Sequence, residues 1–350
     1  MRNLVLHITE CLGGGVETAI AKYIAESNLN TTEHMIFAIS GRSDDSNGDI
    51  LSVPTKTIIR CNLPFWKIPF VITQIYRKYQ PKYVHLHSSF AGFYGRVALV
   101  PKEKIIYTPH CYSFLIESKP NYQRKFFKFI EKLLSYRTGV IASCGVYEEE
   151  LSQSININSK IVPLNNAMTL EPPPHRKVYD YKDTSSSSFK LAMVGRVCEQ
   201  KDPNYFAKVI KILKDKGMDV DALWIGGGDK DKVASLSKNK IKVTGWLNKE
   251  EAIEHLKNSD IYLHTARWEG NPVSLIEAAA LNLPTFARAI GPTKVFGDDL
   301  CCEDENEAAD AIISLVQGKP HKCNPYILSE NIRAMNSVNE LRRRLDELYR

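Results

Sequence analysis

The feature that most constrains the fold is an alternation of short aliphatic segments with helical segments along the chain. Helices between successive strands predict parallel pairing, because a crossover helix returns the chain to the same edge of the sheet. The alternation stops where Pro172–Pro174 and Ser185–Ser188 bracket a polar stretch without periodicity, and it then begins again. The predicted strands are Leu4–Ile8, His34–Ile39, Lys56–Ile59, Tyr83–His87, Ile105–Thr108, Gly139–Ala142, Lys160–Leu164, Phe189–Val194, Ala222–Ile225, Ile241–Thr244, Ile261–His264 and Leu283–Ala287.

This pattern predicts an α/β protein with two doubly wound parallel-sheet domains whose strand-end loops face one another across a cleft. The predicted boundaries are residues 1–170 for the first domain, 171–188 for a linker and 189–330 for the second domain. Residues 331–350 are predicted to form a closing C-terminal helix, which carries the run Arg342–Arg344.

Composition excludes several classes of protein. The 350 residues are 43% hydrophobic and 25% charged, as in an ordinary globular protein. No apolar run approaches the roughly 20 residues that span a bilayer, and the apolar start of the chain is too short for a signal peptide. The eight cysteines contain no C-x-x-C pair, which favours reduced thiols over a disulfide framework or a zinc site. We therefore expect a cytoplasmic protein.

The net charge of +6 lies entirely in residues 1–170, because the remainder is neutral. The most basic segment is Tyr122–Arg137, in which lysines and arginines alternate with phenylalanines and leucines. Two interpretations stay open: an amphipathic helix with a solvated basic face, or a helix that lies on the anionic inner face of a membrane. Nucleic acid is not expected as a partner, because no recognised binding motif accompanies the charge.

The stretch His264–Leu281 predicts a strand end, a loop and a helix. Asn271 is a favourable N-cap, and Pro272 suits the first helical position. Glu269 then lies in the loop, and Glu277 lies about a turn and a half inside the helix. A carboxylate at this position can bind sugar hydroxyls, while the helix N-terminus favours an anion. The alternative is an ordinary capping loop with one solvated glutamate and one ordinary helix glutamate.

Three further loops follow predicted strands. Arg196 and Lys201 precede a helix that Asp202 caps, which suits a diphosphate. Gly13–Gly15 forms a glycine-rich turn after the first strand, where a ligand or a simple tight turn explains the glycines equally well. His110 follows the strand Ile105–Thr108, at the edge where α/β proteins bind ligands. Such a histidine is either functional or structural.

Together these residues resemble the retaining glycosyltransferases of the GT-B fold, in glycosyltransferase family 4 (group 1). The most specific match is the E-x7-E motif from Glu269 to Glu277. Supporting matches, in the family's order, are Gly13–Glu17, Thr108–His110, and Val194–Arg196 with Lys201. The sequence departs from the family where Cys111 replaces a usual glycine and where Asn165–Ala167 replaces a usual Asn-Gly turn.

The resemblance implies roles for individual residues. His110 and Glu269 would be catalytic, with Glu269 contacting the donor sugar and His110 near sugar and acceptor. Arg196 and Lys201 would hold the donor diphosphate, while Trp246 and Leu247 would lie near the base. The donor-binding residues would be Gly14, Gly15, Arg196, Lys201, Leu247, Gly270, Asn271, Pro272, Val273 and Glu277, of which Glu277 would bind the ribose. The first domain would serve the acceptor, and the second would bind the nucleotide-sugar.

The implied activity moves a sugar from a nucleotide-sugar donor to a saccharide or lipid-linked saccharide acceptor, with retention of configuration. It would serve a bacterial surface polysaccharide such as capsule, exopolysaccharide or O-antigen. The alternatives are a GT-B nucleotide-sugar epimerase and a non-catalytic nucleotide-sugar-binding subunit. Asp219–Asp221 and Asp229–Asp231 are interpreted as surface acid, because cations are already assigned to the diphosphate. We therefore expect no metal and no other cofactor.

Overall fold

The computed structural model describes residues 2–10, 12–39, 49–62, 64–155, 158–173 and 188–350. The chain divides into two compact units. Unit 1 comprises Met1–Ala167, Glu269–Asn271 and Ser337–Arg350, and unit 2 comprises Met168–Trp268 and Pro272–Asn336. Most of the predicted linker, residues 174–187, lies outside the described residues, as does Cys11.

Unit 1 contains a seven-stranded sheet in the order β3-β2-β1-β4-β5-β6-β7, and every neighbouring pair is parallel. Its strands are β1 Asn3–Thr9, β2 Thr32–Ala38, β3 Thr57–Arg60, β4 Tyr83–His87, β5 Ile105–Thr108, β6 Val140–Ser143 and β7 Lys160–Pro163. Its first helices are α1 Gly14–Glu26, α2 Ile68–Tyr79, α3 Ser88–Val97, α4 Asn121–Leu134 and α5 Val146–Ile155. Short 3₁₀ turns precede or follow several of them.

Unit 2 contains a five-stranded sheet in the order β10-β9-β8-β11-β12, again parallel throughout. Its strands are β8 Phe189–Val194, β9 Val220–Ile225, β10 Lys242–Val243, β11 Ile261–His264 and β12 Thr285–Ala287. Its helices are α6 Pro203–Asp215, α7 Lys230–Lys238, α8 Lys249–Lys257, α9 Val273–Ala280, α10 Gly291–Lys294, α11 Glu305–Val316 and α12 Pro325–Met335. The last helix, α13 Val338–Tyr349, belongs to unit 1.

The predicted fold class is confirmed, since both sheets are parallel and helices connect their strands. Each unit has its own core, because aliphatic side chains from the strands meet the apolar stripes of the helices. The predicted cap at Asp202 is also observed, since its side chain accepts a hydrogen bond from the Tyr205 N–H at the start of α6. At the start of α8, Asn248 forms a capping box with Glu251.

Three predicted details differ from the structure. Asn271 does not cap α9; Pro272 occupies the cap position, and the Asn271 amide bonds elsewhere in unit 1. Gly14 and Gly15 are the first two residues of α1 rather than a loop, because Gly13 supplies the extended backbone that precedes the helix. The segment 331–350 contains the end of α12 and all of α13, since the chain leaves helical geometry at Asn336 and Ser337.

Candidate functional site

The turn between β8 and α6 places a lysine side chain against a glycine. Gly195 has φ +150°, a backbone conformation that residues other than glycine rarely adopt. A Cβ atom at this position would lie 3.0 Å from Cε of Lys201. The Gly195 carbonyl accepts a hydrogen bond of 2.8 Å from the buried Trp224 indole. Arg196, which follows the glycine, is exposed. The sequence therefore folds a cation onto the carboxyl end of the central strand.

Loops from three neighbouring strands meet around this turn. The Val197 N–H donates to the Gly227 carbonyl at 2.8 Å, which joins the loop after β8 to the loop after β9. A Cβ atom on Gly228 would lie 2.3 Å from the Val197 carbonyl oxygen, so this approach requires glycine. The Thr265 hydroxyl donates to the Lys201 carbonyl at 2.6 Å, which joins the loop after β11. Three strand ends of unit 2 thus form one rigid surface.

His264, the last residue of β11, lies under this surface. It is fully buried, and its Nδ1 lies 3.1 Å from the Tyr262 hydroxyl. Burial and the nearby positive charge of Lys201 hold the pKa of His264 well below its usual value. A neutral imidazole beside Lys201 leaves the lysine as the charge that an anion would meet here.

Glu277 lies on α9 and forms an ion pair with Lys249, the first residue of α8. The Glu277 side chain is buried, so the pair is shielded from solvent. Val273 begins α9 after Pro272 at the cap position, and no side chain among the described residues caps this helix. Its first N–H groups are therefore available to an anion. Lys249 is not apparent from the motif, although its position directly after the Asn248 cap is visible in the sequence.

A cavity of about 440 Å³ lies beside the glycine turn that follows β9. Trp246 lines it and is 54% exposed, and Leu247 packs against the core of unit 2. The other lining residues are Gly227, Gly228, Lys230, Val233, Ala234, Val243, Thr244 and Gly245. An open cavity with an aromatic wall can accommodate a flat ring.

Glu269, Gly270 and Asn271 belong to unit 1. A Cβ atom on Gly270 would lie 2.7 Å from the backbone nitrogen of Cys111, so the chain packs there without space for a side chain. The Asn271 amide donates to the Cys144 carbonyl at 2.7 Å. The Asn166 amide in turn donates to the Asn271 carbonyl at 2.9 Å. Glu269 is buried next to this anchored segment.

The loop that carries His110 is strained and held by a buried carboxylate. His110 has φ +49° and Cys111 has φ +91°, both in the left-handed region. Glu148 on α5 accepts hydrogen bonds from the backbone N–H of Cys111 at 2.8 Å and of Cys144 at 3.0 Å. Burial nevertheless raises the pKa of Glu148 above its usual value. Sequence reasoning missed Glu148; its position four residues after Cys144 is the available signal.

His110 is also the end of a buried histidine network. The His87 Nδ1 and His110 Nε2 atoms lie 3.0 Å apart, and His7 and His34 extend the network at the same spacing. Burial lowers the pKa of His110 to about 3 and that of His34 to about 4. A neutral His110 can donate or accept a hydrogen bond but carries no charge to a ligand.

The structure divides the predicted site residues into two groups. Unit 1 holds Gly14, Gly15, His110, Glu269, Gly270 and Asn271, and unit 2 holds Arg196, Lys201, Leu247, Pro272, Val273 and Glu277. Gly14 has φ +59°, and its carbonyl accepts a hydrogen bond from the Thr18 hydroxyl. The first group offers uncharged donors and acceptors together with a carboxylate. The second group offers two cations, a carboxylate and the start of α9.

Comparison with known proteins shows which proteins the chain is similar to. The family described as "Glycosyl transferases group 1" matches residues 188–318. An uncharacterized 41.2 kDa protein in the cps region of Klebsiella pneumoniae is 26% identical over 340 residues, with 89% of each chain covered. An Escherichia coli protein named UDP-Gal:alpha-D-GlcNAc-diphosphoundecaprenol alpha-1,3-galactosyltransferase is 29% identical over 59% of this chain and 57% of its own length.

The solved structures agree on the fold. Sucrose-phosphate synthase from Thermosynechococcus elongatus superimposes with a TM-score of 0.76 at 14% identity, covering 99% of this chain and 98% of that chain. Identity at this level carries the fold and no specificity. Together, the family match over residues 188–318, the relatives and the shared architecture support a group 1 glycosyltransferase with the GT-B fold.

Proposed function

We propose that the chain transfers a sugar from a nucleotide-sugar to a saccharide or lipid-linked saccharide acceptor, with retained anomeric configuration, during synthesis of a bacterial surface polysaccharide. The observation that carries the proposal is the turn from Gly195 to Lys201, which folds a cation onto the end of β8 beside two other strand ends. The names of the relatives support the biological setting, since one comes from a cps region and the other acts on a diphosphoundecaprenol-linked sugar.

The chemistry requires a leaving nucleoside diphosphate to be neutralised. Lys201 and Arg196 would contact the diphosphate, and the first N–H groups of α9 would add hydrogen bonds. The bond between the anomeric carbon and the phosphate oxygen breaks, and a bond from the acceptor hydroxyl oxygen forms on the same face of the sugar. The acceptor proton passes to the leaving phosphate oxygen. No metal is needed for this step, because protein cations supply the charge.

Glu269 and His110 would act on the sugar. A buried carboxylate can hold sugar hydroxyls and stabilise positive charge that develops at the anomeric carbon. The close packing of Gly270 on the His110–Cys111 loop would keep Glu269 and His110 at a fixed spacing within unit 1. Glu277, oriented by Lys249, would bind the ribose. The cavity beside Trp246 would accept the base, and uridine is the first candidate because the E. coli relative is named for UDP-Gal.

Nucleoside diphosphate release tests the proposal directly. The purified protein would be given UDP-, GDP- and ADP-sugars with EDTA, with and without a diphosphoundecaprenol-linked sugar. We expect release with one donor, stimulated by the acceptor and unaffected by EDTA. The anomeric proton coupling of the product, measured by NMR, should match that of the donor. Product of the opposite configuration would contradict retention.

The same assay separates the alternatives. An epimerase would consume the donor without any acceptor and would yield a free or isomerised sugar. A binding subunit would show donor affinity by calorimetry but release no nucleoside diphosphate. Glu269→Gln should abolish transfer while retaining donor affinity, because it preserves the size of the side chain and removes its charge. A Glu269→Gln variant with unchanged transfer would show that the proposed site is wrong.

A second part of the proposal is that unit 1 contacts the anionic inner face of the membrane. The apolar residues of α4 divide into two sets: Phe127, Ile130 and Leu134 face the protein, while Phe126 and Phe129 are 58% and 60% exposed. The full exposed stripe is Tyr122, Phe126, Phe129, Leu133 and Tyr136, at helical spacing. The lysines beside it are Lys125, Lys128 and Lys132, all exposed. This combination suits insertion at an anionic lipid interface.

The opposite face of α4 explains why the stripe points outward. Glu131 is buried and pairs with Arg96 at 2.8 Å, and the Tyr107 hydroxyl donates to the same carboxylate at 3.0 Å. These bonds fix the rotation of α4 on α3 and β5. Unit 1 exposes further aromatic side chains at Phe65, Trp66 and Phe70. None of the helices in the described part of the chain combines the length and apolar character that a membrane-spanning segment requires.

Vesicle co-sedimentation tests the membrane contact. Vesicles containing phosphatidylglycerol should bind the protein, and neutral phosphatidylcholine vesicles should not. A double variant, Phe126→Ser with Phe129→Ser, should weaken binding at least tenfold, because it removes two inserted rings. Lys238→Glu, an exposed lysine of unit 2, is the matched charge control and should bind normally. Equal binding by the double variant would contradict the contact.

A further inference from the structure

The buried histidines of unit 1 form a continuous chain of hydrogen bonds. Ser27 Oγ lies 2.7 Å from His34 Nε2, and His34 Nδ1 lies 3.0 Å from His7 Nε2. His7 Nδ1 lies 3.0 Å from His87 Nε2, and His87 Nδ1 lies 3.0 Å from His110 Nε2. This chain of hydrogen bonds crosses three strands, from the amino end of β2 through β1 to the carboxyl end of β4, and it continues into the loop after β5.

The direction of this chain follows from its first member. The Ser27 hydroxyl donates its single hydrogen to the Ile24 carbonyl at 2.9 Å, and a carbonyl can only accept. Ser27 Oγ must therefore accept from His34 Nε2–H. A neutral imidazole has one donor and one acceptor, so His34 Nδ1 accepts from His7 Nε2–H. The same rule carries the direction through His87 to His110.

The opposite direction contains one hydrogen bond fewer. If Ser27 donated to His34 instead, its bond to the Ile24 carbonyl would be lost. The reversed chain would also place a hydrogen on His110 Nδ1, which has no partner among the described residues. Ser27 is only 8% exposed, so solvent does not readily replace its lost bond to the Ile24 carbonyl. The network therefore favours one tautomer of each ring.

We propose that Ser27, His34, His7 and His87 act as positioning residues that fix His110 in the tautomer with hydrogen on Nε2, and so present its Nδ1 lone pair to a substrate hydroxyl. The group recognised is a sugar hydroxyl that donates a hydrogen bond to His110 Nδ1. This hydroxyl can belong to the nucleotide-sugar donor or to the acceptor. The substrate clause, which says that His110 Nδ1 contacts a substrate hydroxyl, rests on the proposed glycosyltransferase function. The tautomer itself does not, because it is a property of the protein alone.

A metal ion is the competing explanation for a cluster of this kind. One nitrogen from each of His7, His85 and His87 lies within 4.8 Å of the others. However, both ring nitrogens of each of these residues already have hydrogen-bond partners; His85 bonds the Tyr349 hydroxyl and Thr108 at 2.8 Å each. A metal would need three lone pairs that converge, at the expense of these bonds. The arrangement is better described as a hydrogen-bonded relay.

Nitrogen NMR of the full chain with ¹⁵N-labelled histidine tests the tautomer. We expect His110 to show a protonated Nε2 and an unprotonated Nδ1. Ser27→Ala removes the hydroxyl, after which both directions contain equal numbers of hydrogen bonds. Both His110 nitrogens should then shift toward the average of the two tautomers. Ser27→Thr retains a hydroxyl and should restore the wild-type spectrum. His85→Gln, which removes an equally buried histidine outside the relay, should leave the His110 tautomer unchanged.

The substrate clause has its own assay. Two equally populated tautomers halve the competent fraction, so Ser27→Ala should lower kcat/KM about twofold, and Ser27→Thr should recover it. Deoxygenated donors and deoxygenated acceptors would then be compared in wild type and His110→Ala. The analogue that lacks the contacted hydroxyl should react more slowly with wild type but suffer no further loss with His110→Ala. Loss confined to a donor analogue assigns the hydroxyl to the donor, and loss confined to an acceptor analogue assigns it to the acceptor.

Several results would overturn the proposal. A hydrogen on His110 Nδ1 in wild type, or an unchanged His110 tautomer in folded Ser27→Ala, would show that the relay does not set the tautomer. One equivalent of zinc bound to the purified protein, lost with His7→Gln, would replace the relay with a metal centre. Analogues that give additive losses with His110→Ala would remove the substrate clause. A silent transfer assay with the expected tautomer would instead count against the proposed function.

Discussion

The two units share an architecture and differ in what their strands carry. In unit 1 the central strands carry imidazoles, and His7, His85 and His87 fill the space beneath α1 and α13. In unit 2 the central strands β8 and β9 end in glycine turns, and Lys201 packs against the first of them. Neutral rings suit sugar hydroxyls, whereas glycine turns and cations suit phosphate. The same parallel-sheet framework therefore supports two chemistries through a few residues at the strand ends.

The two units should differ most strongly in their sensitivity to acid. Burial lowers the pKa of five histidines in unit 1, and His264 is the corresponding histidine among the described residues of unit 2. The pKa of each of these histidines in the folded state lies below the unfolded value near 6.5. Their contribution to the free energy of unfolding is therefore complete above pH 6.5 and is lost as the pH falls toward 4. Each group costs up to about 1.4 kcal/mol per pH unit in this range. The raised pKa of Glu148 has the opposite effect and stabilises unit 1 at low pH, but it is a single group against five histidines.

We therefore expect unit 1 to open first on acidification. Hydrogen exchange, corrected for intrinsic rates, should show faster exchange of β1, β2 and β4 at pH 5.5 than at pH 7.5. Strands β8, β9 and β11 should change less. Equal acid sensitivity of the two sheets would contradict the difference between them.

Among the substitutions in unit 2, Lys201→Ala should give the largest loss of activity. Removing a cation that neutralises the leaving diphosphate should reduce nucleoside diphosphate release by about 10²–10³. The fold should remain intact, because the lysine carbonyl, which bonds Thr265, stays in place. Lys211→Ala, an exposed lysine on α6, is the matched control and should keep wild-type activity. A Lys201→Ala enzyme within threefold of wild type would contradict the assignment of the diphosphate to unit 2.

Gly270→Ala tests the close packing in unit 1. The new Cβ atom would lie 2.7 Å from the Cys111 nitrogen, so backbone must move. Crowding of this kind lowers the free energy of unfolding by about 1–3 kcal/mol. Displacement of the His110 loop should also lower kcat, through an increase of similar size in the activation free energy of transfer. Urea unfolding and transfer assays would measure the two effects. A variant with wild-type stability and activity would show that this contact does not position the site.

Among the substitutions in unit 2, Trp246→Ala should produce the smaller effect. The indole forms one wall of the cavity proposed for the base, and loss of stacking costs about 1–3 kcal/mol. We expect KM for the donor to rise about tenfold with kcat nearly unchanged, since the base is remote from the reacting atoms. Trp66→Ala, an exposed tryptophan of unit 1, should leave the donor KM unaltered. A fall in kcat alone would place Trp246 elsewhere in the mechanism.

Much of the fold was predictable because its signals are local. Strands that end in glycine or polar turns, followed by periodic helices, gave both parallel sheets. The Asp202 cap was predicted correctly for the same reason, since a cap is decided by residues three apart. The carboxylates of the motif are also placed as expected, with Glu269 in the loop and Glu277 inside α9.

The relay and the anchored loops were not predictable, because their partners are distant in sequence. His7, His34, His87 and His110 meet only when three strands pair, although the alternation of His85 and His87 already indicates one shared face. Asn271 is a residue type that favours a cap, yet its amide bonds the Cys144 carbonyl, a partner 127 residues away in the sequence. On α4, helical periodicity showed one apolar stripe, and only packing revealed that Phe126 and Phe129 remain exposed.

The central claim is that the donor nucleotide binds at the strand ends of unit 2. Hydrogen exchange of the full chain with and without UDP tests it most directly. We predict protection of three peptides, those containing Gly195–Lys201, Gly226–Trp246 and Val273–Glu277, and no such protection in Lys201→Ala at the same UDP concentration. Protection confined to β1, β4 and the His110 loop, with these three peptides unchanged, would contradict the account.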